Sequence, residues 1–186
     1  SCSLVGSEMC IRDSIIMQDF VHLHVHTQYS LLDGQASVAR LVDKAMQNGM
    51  KGIAVTDHGN MFGIKEFTNY VNKKNSGPKG EIKDLKKRLV GIEAGSIECE
   101  DKEAEVAACK AKIVEAENKL FKPIIGCEMY VARRTMDLKE GKQDQSGYHL
   151  IVLAKNETGY HNLVKLVSHA WTRGYYTVSY THLTLP

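Results

Sequence analysis

The chain has no surplus of either charge. Its 186 residues carry 24 lysines and arginines against 22 aspartates and glutamates, a formal net charge of +2. That balance gives no electrostatic ground for binding nucleic acid, so any such role must rest on motifs. Paired cysteines are missing too. The five present, Cys2, Cys10, Cys99, Cys109 and Cys127, are odd in number and show no C-x-x-C spacing. Neither a disulfide framework nor a zinc ribbon is indicated, and reduced thiols in a cytoplasmic protein are expected. No apolar run approaches the ~20 residues that cross a bilayer. The N-terminus lacks the basic-then-apolar order of a signal peptide, so no membrane partner is expected. No internal repeat is found. What is present is 43% hydrophobic and 25% charged residues, ordinary for one globular domain. Eight histidines are the compositional oddity, and their placement carries the argument.

Periodicity organises the first half. Asp19–His26 alternates, with Phe20, His22, His24 and His26 on one face and Val21, Leu23 and Val25 on the other. A period of two predicts a strand. Tyr29–Gly34 reads as a loop, with Asp33-Gly34 as its turn. Ser37 is placed to cap a helix that runs to about Gln47 and stops at Asn48-Gly49. Gly52–Thr56 is a short apolar run that reads as a buried strand. A second helix is expected over Gly63–Asn72. Strand, helix, strand, helix suggests βαβ units around a parallel sheet, an α/β fold.

Ser76–Lys119 breaks this rhythm. It is rich in lysine and glutamate, and it reads as a charged helical insertion, with partial disorder as the alternative. Strands are then expected at Pro123–Gly126, Met129–Ala132 and Tyr148–Ala154, and a last helix capped by Thr158. The ends, 1–16 and 177–186, match neither the pattern nor the register of what they flank. They are expected to be a non-native leader and tail around 17–176, with Met17 where a native start would sit.

The chemistry concentrates in a few places. On a strand, residues two apart share a face at roughly 7 Å, so His22, His24 and His26 can converge on metal ions. The bland alternative is a polar strand face in water. Asp57-His58 ends the apolar run Gly52–Thr56, where open α/β sheets and α/β barrels place their sites. A carboxylate beside an imidazole supplies a ligand pair, or a ligand with its orienting neighbour. Asp33, Glu128 and His149 are weaker alone: a turn former, a surface glutamate and a core histidine would each be ordinary. Glu93 sits in a ligand-like Gly-Ile-Glu but inside the charged stretch. Histidine and carboxylate ligands at strand ends would hold two or three divalent ions, of the kind that activate water in phosphoester hydrolysis. Mixed nitrogen and oxygen donors suit zinc or manganese.

FVHLHVHTQYSLLDG, followed by GIAVTDHGNMFGIKEF, resembles the opening of the PHP (polymerase and histidinol phosphatase) domain of bacterial DNA polymerase III alpha subunits. KPIIGCEMYVA and SGYHLIVLAKNETGYHNLVKLVS continue the likeness in order, to about Tyr176. The resemblance implies a distorted (β/α)7 barrel, here truncated at its C-terminal side. It implies metal ligands at His24, His26, Asp33, His58, Glu128 and His149, with His22 and Asp57 as further ligands or neighbours. His22 stands where many relatives outside the polymerase branch have aspartate. The family's later ligands, its D-x-H motif among them, lie beyond this chain. The polymerase domains that would use magnesium, DNA and deoxynucleotides lie beyond it too.

The implied parent activity is DNA-directed DNA synthesis, with other polymerase III holoenzyme subunits as partners. The PHP domain itself is expected to act as a metal-dependent 3′–5′ exonuclease or as a structural support. The isolated chain is expected to bind metal weakly and fold marginally, because missing strands leave open sheet edges. The alternative is a stand-alone PHP phosphoesterase resembling histidinol phosphatase.

Overall fold

The computed structural model describes residues 20–98, 101–144, 147–177 and 180–183, with the backbone alone described at 176–177 and 180–183. Residues 1–19, the expected leader and Asp19 included, lie outside the described part. The fold is mixed α/β. Helix α1 (Val38–Gln47) leads to strand β1 (Gly52–Val55) and helix α2 (Ile64–Lys74). Helices α3 (Ser76–Glu93) and α4 (Lys102–Asn118) follow, then strand β2 (Lys122–Val131). Strand β3 (Tyr148–Leu153), helix α5 (Glu157–Thr172) and strands β4 (Tyr175–Thr177) and β5 (Tyr180–Leu183) complete the order.

Local chemistry explains the helix ends. Ser37 Oγ accepts from Arg40 N at the start of α1, and Gly49 takes φ +75° just past its end. Asn156, not Thr158, caps α5, accepting from Gly159 N at 2.9 Å. Asparagine is the better cap because its side-chain oxygen reaches back easily from an extended backbone. The charged stretch is two helices packed on each other, joined through Gly95 at φ +74°.

Strand β2 is the axis of the sheet. It pairs parallel with β1, from Gly52↔Lys122 to Val55↔Ile125. It pairs antiparallel with β3, from Gly126↔Leu153 to Val131↔Tyr148. It also pairs parallel with β5 at Tyr130↔His182 and Val131↔Leu183, so residues 180–183 of the expected tail join the sheet by backbone. The sheet is therefore mixed, where the βαβ rhythm predicts parallel pairing. The two strands expected across 123–132 are one, because Cys127 and Glu128 continue the ladder to β3.

The expected strand over Asp19–His26 is not formed among the described residues. The segment bends at Leu23 and His24 and keeps one bond to β1, Ala54 N to His22 O, and one just past its end, Thr56 N to Val25 O, both 2.9 Å. The bend brings the His24 and His26 rings to 4.9 Å, closer than the roughly 7 Å of a regular strand.

The main core lies between β1 and helices α1 and α2: Val38, Val42, Ile53, Val55, Phe67 and Val71 are all buried. A second cluster, Cys127, Met129, Leu163, Val167 and Ala170, seats α5 on β2. Burial pushes the Cys127 thiol up to about 12, so it is a core side chain rather than a reactive thiol. Among the described residues no helix is long and apolar enough to cross a membrane.

Candidate metal centre

One loop closure, the residues just past β1, the bent histidine segment and the facing strands β2 and β3 build the site. The loop after His26 folds back through Ser30 N to Thr27 O (2.8 Å) and Gly34 N to Ser30 O (2.7 Å). Gly34 is required there, because a Cβ would stand 1.8 Å from the Thr27 carbonyl oxygen. This closure carries Asp33 over the end of β1. Asp57 and His58 follow β1 directly, and Glu128 lies on β2 beside them, tied by Glu128 N to Asp57 O at 3.1 Å and Gly59 N to Glu128 O at 2.9 Å.

Glu128 is the centre. It is 2% exposed, although a surface glutamate would have been ordinary. Its Oε2 meets His24 Nε2 at 2.5 Å and His26 Nε2 at 2.9 Å. Its Oε1 faces His149 Nδ1 at 2.5 Å and His58 Nδ1 at 3.2 Å. Burial raises the Glu128 carboxyl, but the contacts from His24, His58, His26 and His149 outweigh it and leave the carboxyl below its ordinary range. Asp33 Oδ2 lies 2.8 Å from His58 Nε2 and 3.5 Å from His26 Nδ1. The hydrogen bond from His58 holds the Asp33 carboxyl below its usual value.

Six of the nine residues singled out in the sequence thus meet in one place: His24, His26, Asp33, His58, Glu128 and His149. His149 is half exposed, at 51%, not the core histidine its apolar strand would suggest. Pairing opposite Tyr130 points it towards Glu128. His22 stays out. It is exposed and packs edge-on against Phe20 with ring centroids 4.6 Å apart. Glu93 also stays out, near Lys110 on the helical hairpin.

Asp57 does a different job from these six. It is 1% exposed and accepts from Thr27 N (2.6 Å), Thr27 Oγ1 (2.8 Å) and Ser30 Oγ (2.7 Å). Ser30 Oγ in turn accepts from His58 N at 3.2 Å. Asp57 therefore locks the 27–34 closure to the end of β1. Thr27, Ser30 and Tyr130 were missed in the sequence. For Thr27 and Ser30 the signal was short hydroxyl residues following the histidines, and for Tyr130 it was the i+2 spacing from Glu128.

The donors suit a divalent ion. His24, His26 and Glu128 form one group and His26, Asp33 and His58 another, with ligand atoms within 4.8 Å of one another in each. Metal–nitrogen bonds of about 2.0–2.1 Å in a tetrahedral site set ligand atoms roughly 3.3 Å apart. His24 Nε2 and His26 Nε2 stand 2.9 Å apart and crowd one oxygen. Glu128 Oε1 is buried without a well-formed hydrogen bond. A buried acceptor in that condition is costly unless something fills its lone pairs.

The PHP domain family matches residues 22–184. DNA polymerase III subunit alpha of Treponema pallidum is 40% identical over 158 residues, covering 84% of this chain and 10% of the relative. That of Borreliella burgdorferi is 38% identical over 160 residues, again 84% and 10%. That of Aquifex aeolicus is 32% identical over 165 residues, 86% and 10%. The chain therefore spans about a tenth of the length of these curated relatives. A buried glutamate ringed by histidines, and a match over nearly the whole described region, lead to one assignment: the chain belongs to the PHP domain family.

Proposed function

We propose that this chain is part of the PHP domain of a replicative DNA polymerase III alpha subunit and that its cluster holds divalent metal. The observation that carries this is the convergence on buried Glu128 of His24, His26, His58 and His149. In the full domain the fold would close as the distorted (β/α)7 barrel that the resemblance implies.

His24, His26 and Glu128 would hold one ion, and His26, Asp33 and His58 a second, with His149 at the other Glu128 oxygen. A neutral imidazole has one lone pair to give, so His26 would ligate one of these ions at a time, through Nε2 beside Glu128 or Nδ1 beside Asp33, and donate its other N–H. Zinc or manganese fits this mixed donor set. Bound there, such an ion lowers the pKa of a water and neutralises phosphoryl oxygens, the chemistry of phosphodiester hydrolysis. Asp57 would not ligate; it keeps the 27–34 closure and His58 in place. The parent protein would synthesise DNA with domains outside this chain, using magnesium and deoxynucleotides and working with other holoenzyme subunits. The PHP domain would remove nucleotides from a 3′ end.

The test uses the full-length protein. Bound zinc and manganese are measured in the wild type, Glu128→Gln and His58→Ala, together with 3′–5′ hydrolysis of a DNA strand. The expected result is loss of both metal and hydrolysis in the two variants. Hydrolysis unchanged in both would remove the site assignment. Metal bound without any hydrolysis in the wild type would leave a structural centre.

A further inference from the structure

Tyr130 lies two residues beyond Glu128 on β2 and so on the same face of the strand. It is 7% exposed. Its hydroxyl stands 2.7 Å from His58 Nδ1. Its ring is parallel to that of His58, with centroids 6.0 Å apart, and packs edge-on against His149 at 4.7 Å.

The partners of His58 fix its proton. A carboxylate such as Asp33 only accepts. The 2.8 Å contact to Asp33 Oδ2 therefore places the proton on His58 Nε2. In the neutral ring His58 Nδ1 is then an acceptor, and the Tyr130 O–H donates to it. An ion bound at Nε2 beside Asp33 requires the other tautomer, with the proton on Nδ1 and the Nε2 lone pair free. A group that only donates would then clash with Nδ1–H. A hydroxyl does not, because it can donate or accept by rotating.

We propose that Tyr130 is a positioning residue of the metal centre. Its hydroxyl donates to His58 Nδ1 in the metal-free protein and accepts from His58 Nδ1–H once Nε2 takes a divalent ion. The proton relocates from Nε2 to Nδ1 with no net gain or loss, so the ring keeps one partner, one orientation and one charge throughout. Glu128 Oε1, at 3.2 Å from Nδ1, does not replace the hydroxyl, because it forms no well-aligned hydrogen bond there. The inference rests on the cluster being a metal centre.

Tyr130→Phe keeps the ring and removes the hydroxyl, so it tests the hydroxyl alone. Cobalt(II) affinity of the full-length protein is measured by competition with a chromophoric chelator. The melts of chelator-stripped and cobalt-loaded protein are recorded beside it. The expected result is an affinity lowered about tenfold or more, an altered cobalt absorption band, and a smaller cobalt-induced rise in Tm. The stripped variant should melt slightly below stripped wild type, by the one lost hydrogen bond, and the gap should widen on cobalt loading, which a merely structural loss would not produce. Wild-type affinity and spectrum in Tyr130→Phe would overturn the proposal, as would an affinity loss matched by an equal loss in the stripped melt. Glu128→Gln separates the two readings. If it loses cobalt while Tyr130→Phe does not, only this inference fails; if neither variant loses cobalt, the metal centre fails with it.

Discussion

Around β1 and β2, Asp57 and Glu128 are 1% and 2% exposed. Across the α3–α4 hairpin, Lys86–Glu117, Arg88–Glu105 and Lys110–Glu93 join side chains that are all at least 42% exposed. Both regions are rich in charge, but they use it differently. A carboxylate out of water has to be matched atom by atom, so each oxygen of Asp57 has named donors. A carboxylate in water needs no partner, and its ion pairs are screened and loosely held. The strand-end region therefore depends on single atoms, whereas the hairpin depends on helix packing and tolerates change. The contrast is sharp enough to break by mutation.

The largest effect is expected at Asp57. Asp57→Ala would strand three donors, two from Thr27 and one from Ser30. Hydrogen bonds to a buried charge count for about 1.5–3 kcal/mol each and do not simply add, so a loss of at least about 3 kcal/mol is expected. The urea midpoint of the chain, followed by fluorescence of Trp171, measures it. That reporter is apt because Trp171 Nε1 donates to Gly59 O at 2.7 Å, beside His58. A midpoint within error of wild type would mean that Asp57 does not organise the closure.

Next come two truncations of comparable chemistry in the two regions. Phe67 on α2 is 0% exposed in the main core, and Phe67→Ala is expected to cost about 3–5 kcal/mol. Val114 on α4 is 56% exposed, and Val114→Ala should stay within about 0.5 kcal/mol. Equal costs in urea titrations would show that the hairpin is as integral to the domain as the sheet.

How much of this could be read from the sequence follows the same division. Elements with strong local signals were legible: Ser37 and Asn48-Gly49 bound α1, and the apolar run of β1 lies one residue short of where it was expected to end. Pairing was not legible. β3 runs antiparallel to β2, and nothing in a local run of apolar residues says which direction its partner takes. The histidine segment was read as a strand from its alternation, yet the bend at Leu23 and His24 follows from tertiary convergence on Glu128, a residue over a hundred positions away. His24 and His26 stand out because they are clustered, and His58 because Asp57-His58 ends an apolar run. Glu128 and His149 carried weight only through the family resemblance, since burial and cross-strand register decide their roles. Tyr130, Thr27 and Ser30 contact the site through atoms of other residues, and residue type alone does not announce that.

Acid should separate the regions more gently. The Asp33 carboxyl is held below its ordinary range chiefly by the hydrogen bond from His58. A depressed folded-state pKa contributes stability that is present above the unfolded value of about 3.9 and lost as pH falls through the folded value. The Glu128 carboxyl is also lowered and acts in the same direction. The urea midpoint of the wild type should therefore drop as pH falls below about 4, and the Asp33→Asn variant should drop less steeply there. Identical slopes would place the acid sensitivity elsewhere. Asp33 is 53% exposed, so water screens its share and the difference should be modest.

The smallest effect is expected from Arg88 on the hairpin. Its guanidinium meets Glu105 Oε2 at 3.2 Å, with side chains 55% and 42% exposed. Holding two long side chains in one geometry costs entropy, and water competes for both charges. Arg88→Ala, Glu105→Ala and the double variant should each lie within about 0.5 kcal/mol of wild type. The coupling between them should fall further at high salt, because screening shortens to roughly 3 Å at 1 M. A coupling above about 1 kcal/mol that survives 1 M salt would show the pair to be shielded from water, and the hairpin would then share the dependence on single contacts that marks the strand ends.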